Sequence, residues 1–294
     1  MAITDIQVTP ERAIGMSHPP FIIAEVGNNH NGDMSLAIQL VNAAAAANAD
    51  AVKLQTKNPE LAFRKELLDM PYDHENSFGK TYREHKYAVE LSEEQTTELF
   101  ELAHSLGLIA FSTPFDVDSV DMLERIGQPI YKISSFHVTD LELIEKVAKT
   151  GKPLIMSTGM SSWEEIDKGV EVIRRHTDNF ILMQCTSSYP ADLENLNLSA
   201  IPALQERYEC QVGYSGHERG VGIGPGSVLL GARVIERHFT MDRTLKGPDH
   251  AASLEPRGLD LLVKRSRNYW KAVGIPEKTI HESEKANRLK FRGY

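Results

Sequence analysis

In the run RVIERHFT (233–240) an apolar segment ends in Glu236, His238 and Thr240, spaced two apart. Residues two apart in a strand share a face, so these polar groups project together. The same design recurs along the chain. Glu25 ends FIIAEVG, Lys53 and Gln55 end AVKLQT, Ser112 and Thr113 end IAFSTP, and Lys132, Ser134 and Ser135 end IYKISS. Ser157 and Thr158, Gln184 and Thr186, and Ser215 and His217 follow in the same way. Lys53 and Lys132, with the hydroxyls of Thr113, Ser135, Ser157 and Ser215, make a donor-rich cup suited to a small ligand bearing phosphate and carboxylate. For either lysine alone, an ion pair with Glu25 or Glu236 is the plainer reading. His217 and His238 are placed to share one divalent ion. Open positions completed by water or substrate oxygen suit Mn2+ or Mg2+ better than a closed zinc site. The plainer reading there is a hydrogen-bonded histidine pair. Glu25, near lysines and a metal, is the general acid/base candidate.

The elements that must position these groups are regular. Apolar runs at 21–27, 51–56, 109–114, 130–135, 153–158, 180–186, 211–216 and 233–240 predict eight strands. Helical segments follow each, with a capping box at Ser92–Gln95 and a cap expected at Thr139. Alternating strands and helices with near-continuous apolar strands imply a parallel sheet. Eight repeats favour a closed (β/α)8 TIM barrel, whose active site forms at the C-terminal ends of the strands. No G-x-G-x-x-G follows the first strand, which weakens a dinucleotide-binding alternative. The expected division is an N-terminal extension covering the barrel bottom (1–20), the barrel (21–275) and a tail (276–294).

A chain of 294 residues, 41% hydrophobic and with a net charge of -9, suits one α/β barrel and argues against nucleic-acid or anionic-membrane surfaces. No apolar run reaches membrane-span length, and no secretory signal is read at the start. Cys185 and Cys210 give neither a disulfide framework nor zinc spacing, so a cytoplasmic setting is expected. Cys185 reads as packing. The long segment 57–90 reads as a lid, an oligomer contact or a solvated surface, with Arg64, Lys80, Tyr82, Arg83 and His85 as its candidate substrate contacts. The glycine run GVGIGPG (220–226) reads as the bend into a helix more readily than as a phosphate loop.

These motifs together resemble the sialic acid synthases and their relatives making pseudaminic, legionaminic and related nonulosonic acids. The resemblance rests on FIIAEVGNNHNGD (21–33), AVKLQT (51–56), SFGKTYREHK (77–86), STPF (112–115), YKISS (131–135) and STGM (157–160). It continues through QCTSSYPA (184–191), GYSGHE (213–218) and ERHFTMDRTLKGPDHAASLEP (236–256), so it spans the barrel in chain order. It implies condensation of phosphoenolpyruvate with an open-chain N-acyl amino-sugar aldehyde, releasing phosphate. It implies His217 and His238 as metal ligands, and Lys53, Thr113, Lys132, Ser135, Ser157 and Ser215 as the phosphoenolpyruvate cup. Glu25 is the implied catalytic carboxylate, with Lys53 and Lys132 holding anionic charge, and Gln55, Tyr189 and Asp249 are implied sugar contacts.

Two departures fall on the acceptor side. Phe136 and His137 stand where the family pattern has glycine and an acid, and Ser187 stands for an asparagine. The resemblance also implies a homodimer and an antifreeze-like domain. No match to that domain is read within residues 1–294, and a separate antifreeze-like protein is a candidate partner. A Schiff-base aldolase or lyase using Lys132, and a non-catalytic sugar- or partner-binding barrel, are the competing readings.

Overall fold

The computed structural model describes residues 3–294. A hairpin of β1 (Ile6–Thr9) and β2 (Arg12–Ile14) precedes eight parallel strands. These are β3 (Phe21–Gly27), β4 (Ala51–Thr56), β5 (Ile109–Pro114), β6 (Tyr131–Ile133), β7 (Leu154–Ser157), β8 (Phe180–Cys185), β9 (Gln211–Gly216) and β10 (Val234–His238). Their order in the sheet is β5-β4-β3-β10-β9-β8-β7-β6, so the last strand pairs with the first. Every residue of β3, β9 and β10 is buried, as strands covered on both faces require.

The ladder has one seam, where β5 and β6 lie side by side without strand hydrogen bonds. Gln128, fully buried, bridges it. Its Oε1 accepts from the Ser112 amide at 2.8 Å, and its Nε2 donates toward the Ser112 carbonyl at 3.5 Å. A side-chain amide thus takes the place of a neighbouring backbone, satisfying groups that burial would otherwise leave unpaired.

The barrel interior is filled at its N-terminal end by Phe21, Ile23, Phe111, Ile155, Ile181, Met183 and Val234, and Ile6, Val8 and Ile14 of the hairpin close it from below. A larger apolar layer lies between strands and helices, around Leu40, Val41, Leu99, Val120, Ile144, Ile173 and Leu262. With apolar filling confined to one end, the other end is left to polar groups.

Several boundaries differ from those expected. The run 130–135 stops being a strand at Ile133, because Ser134 turns the chain into a short 3-10 helix, Ser135–His137. The Ser134 hydroxyl bonds His137 Nδ1 at 2.8 Å and holds that turn. Asp140, not Thr139, caps the helix Leu141–Ala148, accepting from the Leu143 amide at 3.1 Å. An ionised acceptor suits the positive end of a helix better than a hydroxyl does. The glycine run opens a short helix, Ile223–Gly226, where a Cβ on Gly224 would lie 2.8 Å from Leu262. Gly224 therefore serves close packing against the helix Pro256–Val273, while Gly220, Gly222 and Gly226 have open space around them.

The segment after β4 forms short helices Pro59–Ala62, Lys65–Leu68 and Tyr82–Ala88. Its two ends are stapled by Lys57 and Glu90: the Lys57 amide donates to Glu90 Oε1 at 2.9 Å, and its Nζ lies 3.3 Å from Oε2.

Replacing Gln128 with alanine should lower unfolding free energy by about 1–3 kcal/mol, because two Ser112 backbone groups lose their buried partner. Urea denaturation checks this, and a change of only a few tenths of a kcal/mol would show that the seam needs no bridge.

Candidate active site

At the C-terminal mouth, strand register sets charge against charge. Glu25 of β3 stands opposite Lys53 of β4. Lys53 Nζ lies 2.6 Å from Glu25 Oε2, 2.7 Å from Thr113 Oγ1 and 3.6 Å from Glu236 Oε1. Lys132 Nζ is 3.7 Å from that same Glu236 oxygen. All four charged side chains are buried. Removing two cations and two anions from water is tolerable only because they face one another.

Burial pushes the Glu25 carboxyl up, against the pull of Lys53. For Glu236, burial is outweighed by Lys132 and Lys53, so its pKa falls. Lys53 suffers the same burial, but Glu236 and Glu25 together carry its pKa upward. Burial dominates at Lys132, whose proton affinity drops despite Glu236.

His217 and His238 stand with ring centroids 5.5 Å apart, and the Tyr189 ring lies 4.1 Å from His217 and 5.9 Å from His238. His217 Nδ1 is 2.8 Å from the Thr186 carbonyl oxygen. A carbonyl only accepts, so Nδ1 carries a hydrogen; burial pulls the His217 pKa down, but Cys185, the Thr186 carbonyl and Glu236 outweigh it and raise it. Burial lowers the His238 pKa to about 4, leaving a neutral ring at pH 7. Among the described residues no group of three or more His, Cys, Asp or Glu side chains is placed to hold a metal ion. Two imidazoles side by side, flanked by the Tyr189 ring, is the arrangement present.

Glu25, Lys53, Gln55, Thr113, Lys132, Ser135, Ser157, Tyr189, Ser215, His217 and His238 all line one small cavity of about 50 Å3. Asp249 does not. It lines an adjoining outer basin, with Asn28, Gln55, Lys57, Tyr189 and His238. Phe136, 59% exposed, stands at the boundary of both spaces. His137 lies in the basin wall, edge-on to Phe115 at 4.9 Å.

Three buried polar atoms in the cavity wall, Ser157 Oγ, Glu236 Oε2 and His238 Nδ1, have no hydrogen-bond partner. Buried polar atoms are rarely left so, and each is a place for a ligand group.

The ion pairing of the lysines with Glu25 or Glu236 weighed in the sequence is present, and the Glu236 carboxylate joins both lysines. Cys185, read as packing, lines the cavity, 3.9 Å from His217 Nδ1. The period-two rule that grouped Glu236 with His238 holds, since both line the cavity. The same rule puts Arg237 on the other face, where it pairs with buried Glu218 at 2.7 Å behind the site.

Of the segment 57–90, Arg64 and Tyr82 line the basin. Arg83 is occupied by Glu60 and Asp69, and His85 is buried among Tyr72 and Phe78. Those two are not free to meet a substrate, because packing and ion pairing inside the segment already use them.

The family model described as the NeuB family matches residues 40–278. The chain belongs to this family. It is 38% identical over 283 residues to the human N-acetylneuraminate-9-phosphate synthase, covering 96% of this chain and 79% of that one. It is 40% identical over 276 residues to an N,N'-diacetyllegionaminic acid synthase of Legionella pneumophila, covering 92% and 78%. The crystal structure of an N-acetylneuraminic acid synthetase from Leptospira borgpetersenii, in complex with citrate, superposes with a TM-score of 0.86 at 34% identity, covering 99% of both chains. The eight-stranded barrel is thus the fold of this NeuB family member and of a solved relative.

His30, in the loop after β3, is buried, and burial, with Lys57 adding to it, holds its pKa at about 4. The unfolded value is about 6.5. Between the two the unfolded chain binds the extra proton, so stability present above about pH 6.5 is lost as pH falls toward 4. Thermal unfolding from pH 7 to 4 should show this decline, with a shallower slope in His30→Asn. An identical slope would contradict it.

Proposed function

We propose that this chain condenses phosphoenolpyruvate with the open-chain form of an N-acyl amino-sugar aldose, giving a nonulosonic acid and inorganic phosphate. The observation that carries the proposal is the cavity in which two buried lysines, four hydroxyls and two histidines converge, on a barrel of the NeuB family. Its relatives' names are those of synthases, which favours condensation over a Schiff-base aldolase at Lys132 or a barrel that only binds.

Lys53 and Lys132, with Thr113, Ser135, Ser157 and Ser215, are suited to the carboxylate and phosphate of phosphoenolpyruvate. Ser157 brings a hydroxyl that nothing else in the cavity occupies. Gln55, Tyr189 and Asp249 lead outward from the cavity toward the basin, where the sugar chain would lie. A divalent ion such as Mn2+ or Mg2+ on His217 and His238, its remaining positions filled by water and substrate oxygen, would polarise the aldehyde carbonyl.

The enol C3 then attacks the aldehyde carbon, forming the new C–C bond, and the aldehyde oxygen takes a proton. Positive charge left at C2 is met by water, which loses a proton on adding. The resulting hemiketal phosphate collapses to a keto acid and phosphate. Glu25, its proton affinity raised by burial, is placed to accept or return these protons, or to orient the water. Lys53 and Lys132 hold the anionic charge throughout.

Exposed apolar side chains of Phe136, Met160, Tyr189 and Leu193 support a further part of the proposal, a homodimer or a separate antifreeze-like partner meeting the mouth. No helix among the described residues is long and apolar enough to cross a membrane, and both cysteines are free, which supports a cytoplasmic enzyme.

Phosphate release from phosphoenolpyruvate with Mn2+ should appear with one member of a panel of N-acetylmannosamine, its 6-phosphate, mannose and diacetamido dideoxyhexoses. His238→Ala should abolish it, and Lys53→Met should lower kcat/KM by at least about 100-fold. No release with any sugar, or trapping of pyruvate on Lys132 by borohydride, would overturn the proposal.

A further inference from the structure

Glu25 is the last anion of a hydrogen-bonded chain that starts at the stapled ends of the segment 57–90. Glu90 Oε2 lies 3.3 Å from Lys57 Nζ, which donates to Asn28 Oδ1 at 3.2 Å. Asn28 Nδ2 donates to Gln55 Oε1 at 3.1 Å, and Gln55 Nε2 donates to Glu25 Oε1, also at 3.1 Å. Asn28 and Lys57 stand just beyond the ends of β3 and β4, and both are buried.

The direction of this chain is forced by its ends. An ammonium has only donors, so Asn28 must turn its carbonyl to Lys57 and its NH2 to Gln55. Gln55 must then offer its carbonyl to Asn28, leaving its NH2 for a carboxylate that only accepts. Reversing either amide would set N–H against ammonium or carbonyl against carboxylate. With Lys53 at its other oxygen, Glu25 is clamped from both sides.

We propose that Asn28 and Lys57 are positioning residues, which fix the orientation of Gln55 and through it that of the Glu25 carboxylate. They tie the reacting end of the cavity to the segment that borders the outer basin. The proposal rests on the synthase reading above. The chain uses one donor and one acceptor of Gln55 and leaves one of each. A sugar group meeting its nitrogen must therefore accept, and one meeting its oxygen must donate.

Asn28→Asp tests the polarity with almost no change of shape. The introduced carboxylate still accepts from Lys57, but it also demands a donor from Gln55, which must swing its NH2 away from Glu25. The expected result is a fall in kcat on the order of 10–100-fold with the KM for phosphoenolpyruvate within about twofold. Lys57→Met should behave likewise, Lys57→Arg should recover kcat to within about threefold of wild type, and Asn28→Asp with Lys57→Met should cost no more than about the larger single loss. A role confined to packing predicts instead a lowered melting temperature with unchanged kcat in the folded fraction. That result, a kcat for Asn28→Asp within about twofold of wild type, or independent losses that multiply, would overturn the proposal.

Should Asn28→Asp not fold, the Lys57 pair decides alone. A wild-type chain without turnover on any sugar refutes the synthase reading instead. In that case the crystal structure of Asn28→Asp still judges the chain, by whether the Gln55–Glu25 hydrogen bond is broken or kept.

Discussion

The site depends on one electrostatic constraint: two lysines and two glutamates must lie buried at one level of the barrel. Neither sign could be buried alone at tolerable cost. Glu236 lies between Lys53 and Lys132, and Glu25 takes the remaining face of Lys53. The carboxylates keep cations available in a cavity that holds no other anion. A substrate bearing phosphate and carboxylate would compete for those cations, so its charge is matched by groups already desolvated and oriented.

The barrel serves this constraint by dividing its interior. Large apolar side chains and the N-terminal hairpin fill one end, and polar groups are left to the other. The two-residue repeat then sorts side chains within a strand. On β10, Glu236 and His238 face the cavity, while Arg237 faces outward to Glu218. The same alternation lets β4 present Lys53 and Gln55 to the site while Leu54 joins the outer apolar layer.

Much of this was legible in the residues. The strand ends carry their polar groups in phase, and nearly every predicted site residue reaches one cavity, because a parallel barrel brings all eight ends to one mouth. What the sequence hid depends on contacts between distant segments. Nothing local in Gln128 marks it as the bridge of the seam, since its partner is a backbone sixteen positions earlier. Nothing in the residues around Asn28 and Lys57 ties them to Glu25, and the link exists only once β3 and β4 lie side by side. Cys185 looked like packing because His217, its neighbour, is 32 residues away. Asp249 was legible as a polar site residue, but its depth was not, since the loop after β10 carries it past the cavity into the basin.

The central claim, that carbon–carbon bond formation is coupled to attack of water at C2, can be tested with phosphoenolpyruvate carrying 18O in its bridging enol oxygen. If water adds at C2 and the hemiketal phosphate collapses by C–O cleavage, the label leaves with inorganic phosphate. Mass spectrometry should then find 18O in the phosphate and none in the keto acid. Label retained in the keto acid would mean that the P–O bond breaks instead, and would contradict the account.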